Sequence, residues 1–412
     1  MNVGSARPLT LRARHVVSLA GPPLENAWLR IRHGRIVTVG SSPASDASID
    51  LGDAVILPGL VNAHTHLEFS SLQAPLPGDG GLPEWIGRVV ALRRTLPADA
   101  AAARVAAAID AGLAECAASG VTTIGEIATA VRISAPAGPR IRVFREALGL
   151  SGTAIEATLA ALQRDLDRLG AAGAFAGVSP HAPYSVSAPL GRRMLETARR
   201  RRLPAAMHLA ESPAEAELIA HGSGPFRTLL ESLGAWPSTA PRLLSAADWI
   251  SLLARGPRGL VVHGTFLDDD ALARFARHRD RLAVAVCPRT TRLLSGALPP
   301  VARFRAAGIR VALGTDSRAS TPDLSVLAEC RALVEGGLAS PAEALHMATV
   351  DGAWALGFDR QAGMLAPGRP ADLVILRPAR PFADPHAAAL DPDTTVVATI
   401  RAGRLIHGQL GN

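Results

Sequence analysis

Apolar residues fall in short runs along this chain, and the runs have two textures. Residues 8–57 hold stretches such as LTLRARHVVSL, AWLRIRHGRIVTVG and SIDLGDAVIL, cut by turn signals at Gly21-Pro22 and His33-Gly34. Short runs between such turns predict antiparallel β structure. The same texture returns in ADLVILRP at 371–378 and TVVATIRAGRLIHG at 395–408. Two β-rich ends around a different middle predict one small, discontinuous β-sandwich domain made by both ends of the chain.

The middle alternates. Eight strand-like runs are VILPGLVNAHTH, VTTIGEI, RIRVFREAL, FAGVSPHAP, PAAMHLAES, GLVVHGT, LAVAVCPRT and VALGTDS, and Ala-, Leu- and Arg-rich segments of helical spacing separate them. Strands alternating with helices predict parallel βαβ units, and this many predict an α/β fold of the (β/α)8 TIM-like type. The expected division is a barrel over 58–360 and a composite β domain over 1–57 and 361–412. Residues 213–258, with Trp236, Pro237 and Trp249, read as an insertion near the site.

Polar, titratable residues sit where these runs end. His64 and His66 end the first, His181 the fourth, His208 and Glu211 the fifth, His263 the sixth and Asp316 the eighth. Active sites of such barrels lie at the C-terminal ends of the strands. Residues i and i+2 of a strand face the same side, so His64 and His66 can aim two imidazoles at one point. Alone, such a pair is a weak signal, since it also fits a capped strand end. With His208 and Asp316 added, the donor set suits one divalent metal ion, Zn²⁺ first and Fe²⁺ second.

Composition narrows the classes. The chain has 412 residues, 48% hydrophobic and 19% charged, enough for a large core. Its formal charge is +7, and with no lysine all 43 basic residues are arginine. They are scattered, and the one dense run, Arg199 to Arg202, reads as a solvated helix C-terminus. Aromatic residues are only 4%, which leaves no stacking platform, so no nucleic-acid partner is expected. Cys116, Cys287 and Cys330 are far apart and imply no disulfide framework or zinc knuckle. No signal peptide or membrane-spanning run is evident, and a soluble cytoplasmic protein is expected.

The motifs PGLVNAHTH, HLAE, HGT and GTDS, in this order, resemble the amidohydrolase superfamily. So does the tail ALHMATVDGAWALGFDRQAGMLAPGRPADLVIL, similar to the family's return from barrel to β domain. The resemblance implies that His64, His66, His208 and Asp316 bind the metal, that Glu211 shuttles protons, and that His263 orients the water. Binuclear members bridge their metals with a carboxylated lysine, which this chain lacks, and the fourth run ends in SPHAP without a carboxylate. The mononuclear deaminase and chlorohydrolase branch is therefore implied. There, a metal-activated water attacks an aromatic carbon bearing an amine, with Glu211 moving protons and His263 and Asp316 holding the attacking group.

The substrate side is implied in the same way. SPHAPYSVS resembles APHAPYT of adenosine-type deaminases, where the histidine, here His181, contacts substrate. Glu68, taken to continue the first strand, and Glu84, in the lid-like LPEWIGRVV, stand where a carboxylate binds ribose hydroxyls; against each stands a solvated surface acid. Trp85 reads as packing, Arg145 and Glu146 as pocket-lining ends of the third strand, and Cys287 as buried wall. Thr290 and Thr291 depart from the Ser-Asn frequent in relatives, which leaves the contacts there open. HTHLEFS with the LPEWI segment is similar to amidohydrolase-type deaminases of 6-amino-6-deoxyfutalosine, in the futalosine route to menaquinone. A basic chain suits that substrate's benzoate. Methylthioadenosine/adenosylhomocysteine deaminases, guanine deaminases, and cyclic-amide or chlorohydrolases share the metal shell and stay open as alternatives. A non-enzymatic binding protein fits poorly with so complete a donor set. A homodimer is implied at family level.

Overall fold

The structure is a computed structural model, and it describes residues 8–41, 48–95, 98–132 and 138–410. Eight strands pair in parallel and in chain order: Leu60–Thr65, Val121–Ala128, Arg140–Ala147, Phe175–Pro180, Ala205–Leu209, Gly259–His263, Leu282–Val286 and Arg310–Leu313. The ring is drawn together where the first strand ends. Thr65 bridges Asp316, and the N–H groups of Thr315 and Asp316 both donate to the His64 carbonyl at 3.1 Å. The residues that join the ring are thus neighbours of the expected metal donors.

Inside the ring, Val61, Ala63, Phe144, Ala206, Val262, Ala285 and Ala312 are fully buried, and the helix Gly352–Ala355 with Leu356 and Phe358 packs on them. Small and branched side chains fill the interior, so it is a packed core and not a pore. Outer helices bury one stripe each. In Ile155–Ala171 the stripe is Leu159, Leu162, Leu166 and Leu169, the spacing of one helical face.

The chain ends form a single mixed sheet in the order Arg404–Gly408, Thr395–Arg401, Leu373–Arg377, Val55–Pro58, Leu9–Val16, Leu24–Arg32, Arg35–Gly40, with Ser48–Asp50 beside Leu9–Val16. The sheet folds back on itself. Ala371 donates to the Gly34 carbonyl at 2.9 Å and Gly403 donates to Ala371 at 3.0 Å, so the two outer hairpins meet. Leu11, Leu29, Ile31, Ile56, Leu373, Ile375 and Ile400 fill the space between.

One expectation is corrected. The run VILPGLVNAHTH is two strands, divided at Gly59: Val55–Pro58 belongs to the end domain and Leu60–Thr65 to the barrel. A Cβ at Gly59 would lie 2.2 Å from the Thr122 side chain, so glycine is what lets the chain cross between sheets here.

Over the barrel mouth, the helix Gly81–Arg94 meets the insertion helices Pro213–His221 and Pro225–Ser232. Leu82, Trp85, Val89, Leu218, Phe226 and Leu230 form their shared apolar cluster, with Phe69 and Tyr184 beneath. The arginine run is a helix end in water, as expected: Arg199 pairs with Glu196 at 2.7 Å and Arg201 with Asp167 at 2.6 Å. Among the described residues, no helix is long and apolar enough to cross a membrane.

Candidate active site

Strand ends supply every donor. His64 is fully buried on the first strand and His66 follows it directly. Gly314 makes room for them: a Cβ there would sit 2.8 Å from the Cβ and carbonyl of His64. His66 Nε2 lies 3.2 Å from His208 Nε2, and both His64 Nε2 and His66 Nε2 lie 3.7 Å from Asp316 Oδ1. The four expected ligands therefore converge on one point.

Neighbours hold these groups in place. His208 Nδ1 donates to the His181 carbonyl at 3.0 Å, which turns the Nε2 lone pair toward the cluster. Asp316 Oδ2 accepts from Ser320 Oγ at 3.0 Å, and Ser320 in turn bonds Thr290 at 2.9 Å. Thr290 thus supports Asp316 from behind, a role its place in the sequence did not suggest.

The donors fit a divalent cation. Both ring nitrogens of His64 and Nδ1 of His66 are buried without a hydrogen-bond partner among the described residues. Burial lowers the His64 pKa to about 3 and those of His66 and His208 well below the usual value. Burial thus favours the neutral form of the three rings, the form that binds a metal ion. Burial also raises Asp316. Unpartnered buried polar atoms call for an explanation, and three imidazoles with one carboxylate are metal donors.

Glu211 stands beside them. Its Oε1 lies 3.3 Å from His263 Nε2, close but not aligned as a hydrogen bond. Burial, then the charges of Asp316 and Glu215, raise its pKa well above the ordinary carboxylate range. Burial lowers that of His263. The backbone here is strained: Ala210, His263 and Asp316 have φ of 52°, 65° and 56°. Each such residue costs about 1–3 kcal/mol, and such residues cluster at functional sites.

Further out, the cavity is lined by both expected and unexpected residues. His181 lines it, with Nδ1 2.6 Å from Ser185 Oγ. Glu146 also lines it, 2% exposed and with Oε1 lacking a hydrogen-bond partner among the described residues, and burial raises its carboxyl to about 8. Arg145 does not: alternation along the strand turns it outward, where it pairs with Asp165 at 2.6 Å. Glu84 does not either; it is solvent-exposed and pairs with Arg88 at 2.8 Å. Glu68 is not on a continued strand. Both carboxylate oxygens of Glu126 accept the Leu67 N–H, at 3.0 and 3.2 Å, and the chain turns there into a short 3-10 helix, Leu67–Phe69. Glu68 is not among the residues that line the cavity, and it pairs at 2.6 Å with Arg93, which is.

Several lining residues escaped the sequence reading, namely Ile86, Val89, Val90, Arg93, Leu148 and Tyr184. A signal existed for the helix: Trp85, Ile86, Val89, Val90 and Arg93 recur at the spacing of one helical face. A larger open cleft of about 810 Å³ lies near Arg310, at the opposite end of the eighth strand from Asp316. Within it Arg305 pairs with Glu343, and Arg310 and His346 both reach Asp351.

A parallel barrel whose mouth gathers three imidazoles and a carboxylate is the architecture of a metal-dependent hydrolase. More particularly, the chain belongs to the amidohydrolase family, whose pattern matches residues 55–406. It is thus a hydrolase of C–N bonds other than peptide bonds. The 5-methylthioadenosine/S-adenosylhomocysteine deaminase of Moorella thermoacetica is 30% identical, over 93% of this chain and 91% of that one. The aminodeoxyfutalosine deaminase of Deinococcus radiodurans is 32% identical, over 72% and 74%. The crystal structure of Helicobacter pylori aminofutalosine deaminase, in complex with methylthio-coformycin, superposes with a TM-score of 0.83 at 25% identity, covering 96% and 99%.

Proposed function

We propose that the chain is a hydrolytic deaminase of an adenine-type nucleoside, with 6-amino-6-deoxyfutalosine its substrate. One observation carries the deaminase reading: the largely buried Glu211 stands with Oε1 3.3 Å from His263 Nε2 at the edge of the four-donor cluster. The relatives named for aminodeoxyfutalosine and aminofutalosine support the substrate.

His64, His66, His208 and Asp316 would hold one divalent ion, zinc before iron(II) by donor chemistry. Bound there, the ion supplies Lewis acidity and makes a water molecule more acidic. Glu211 takes one proton from the water and passes it to the ring nitrogen beside the reacting carbon. A carbon–oxygen bond forms, the bond to the exocyclic amine breaks, and the water's second proton leaves with ammonia. His263 orients the water next to Glu211. His181 and Glu146 hold the nucleoside from the fourth and third strands. Trp85 and Val89, on the helix above, keep bulk water out.

A second reading has its own support. The methylthioadenosine/adenosylhomocysteine deaminase match covers more of this chain, 93% against 72%. Ammonia release from aminodeoxyfutalosine, methylthioadenosine, adenosylhomocysteine, adenosine and guanine separates the two. Preference for aminodeoxyfutalosine is expected. Preference for a thioether nucleoside overturns the substrate and keeps the deaminase. Silence on every aminopurine, with metal bound, overturns both.

A further inference from the structure

Glu211 is followed by Ser212-Pro213-Ala214-Glu215, and the same tetrapeptide recurs at Ser340-Pro341-Ala342-Glu343. Both serines cap a helix, and each accepts the N–H of the glutamate three residues on. At Ser340 the capping box is complete, since Glu343 reaches back to accept the Ser340 N–H at 2.8 Å. Glu215 does something else. Its Oε1 accepts the N–H of Ala210 at 2.8 Å and its Oε2 that of Glu211 at 3.2 Å. The carboxylate has left its own helix start and bonds the turn that carries Glu211.

That turn needs holding. Ala210 has a φ of 52°, which an L residue adopts only under constraint. Glu215 is 1% exposed and forms no ion pair among the described residues, and among them its carboxylate accepts hydrogen bonds only from these two N–H groups. Burial lifts its pKa to about 7, while the bonds from Ala210 and Glu211 act the other way. A buried carboxylate is costly to keep, and a plain capping box would have left it in water, as at Glu343.

We propose that Glu215 is a positioning residue: by gripping the N–H groups of Ala210 and Glu211 it fixes the strained turn that aims Glu211 into the site. The proposal rests on the proton-shuttle reading of Glu211. A glutamine at 215 keeps the size but offers one acceptor and one donor, so one of the two N–H groups loses its partner.

The test uses the full chain loaded with zinc, and reads kcat, KM, metal content and thermal stability for Glu215→Gln, Glu343→Gln and Glu211→Gln. Glu215→Gln should lower kcat about 10- to 100-fold, the scale of a catalytic group slightly misplaced. KM should stay within about threefold, since substrate contacts are untouched, and metal content should not change. Glu343→Gln should leave kcat as in the parent. If Glu215→Gln keeps kcat within about twofold, or loses metal in proportion to kcat, the positioning role is overturned. If Glu215→Gln does not fold, Glu215→Asp and Ser212→Ala decide. The shorter carboxylate should reduce kcat and the missing cap should not, and equal kcat in both overturns the proposal. Normal turnover in Glu211→Gln would instead sink the shuttle reading, a distinct outcome.

Discussion

The two Ser-Pro-Ala-Glu segments share their residues, their proline after the cap and their serine cap, yet their glutamates end in opposite surroundings. Glu343 lies in water, pairs with Arg305, and its pKa falls to about 2 through that pair and the Ser340 bonds. Glu215 lies under the barrel mouth, and its pKa rises to about 7 through burial. Identical local chemistry made the same helix start twice. What lay beyond the helix decided whether the carboxylate served the helix or the active site.

The sharpest break between the segments should come at the residue just before the serine. That residue is Glu211 in one segment and Ala339 in the other. Glu211→Gln should lower kcat by about 100- to 10,000-fold, the usual worth of a general acid–base group, with metal content unchanged. Steady-state ammonia release with metal analysis checks this.

Next come the glutamates themselves. Glu215→Ala leaves two buried N–H groups unpaired and should cost about 1–3 kcal/mol in denaturant unfolding. Glu343→Ala removes an exposed pair and should cost less than about 1 kcal/mol. Equal costs would mean that burial does not distinguish the sites.

The serines should behave alike. Ser212→Ala and Ser340→Ala each remove a helix cap and should each cost about 1 kcal/mol, measured the same way. A large gap between them would show that the two helix starts are not equivalent after all.

The smallest effect is in pH, and its sign differs between the segments. Glu343 has a lowered pKa, so its contribution is full above the ordinary value of 4.5 and fades as pH falls toward about 2. It amounts to a few tenths of a kcal/mol, because the pair is screened by solvent. Glu215 has a raised pKa, so the folded state binds its proton more tightly and the parent loses stability as pH rises from 4.5 to about 7. Relative to parent, the deficit of Glu343→Gln should vanish in acid, while that of Glu215→Gln should shrink toward neutrality. Unfolding titrations across this range read both trends.

Much of the site was legible because strand periodicity and position in a parallel barrel are local rules. A histidine pair at i and i+2, with further donors at later strand ends, projects onto one point once the barrel is granted. Side chains beyond a strand end obey no such period. Glu68 was read as strand, yet Glu126 captures the Leu67 N–H and starts a turn. Glu84 left two readings open, a ribose-binding carboxylate or a solvated acid, and on its helix the inward face is that of Trp85, Val89 and Arg93, which leaves Glu84 in solvent. Arg145 and Glu146 are adjacent, and the period of 2 could send only one inward.

By itself the sequence determined the alternation that makes the barrel, the β texture of both ends and the donors at the strand ends. Each follows from spacing along the chain. The tertiary structure alone decided that Gly59 divides one apolar run between two sheets and that Arg93 lines the cavity. It also decided that one of two identical glutamates turns from its own helix to the catalytic turn. These choices depend on which groups are brought near from elsewhere in the chain and on whether water remains to compete for the hydrogen bond.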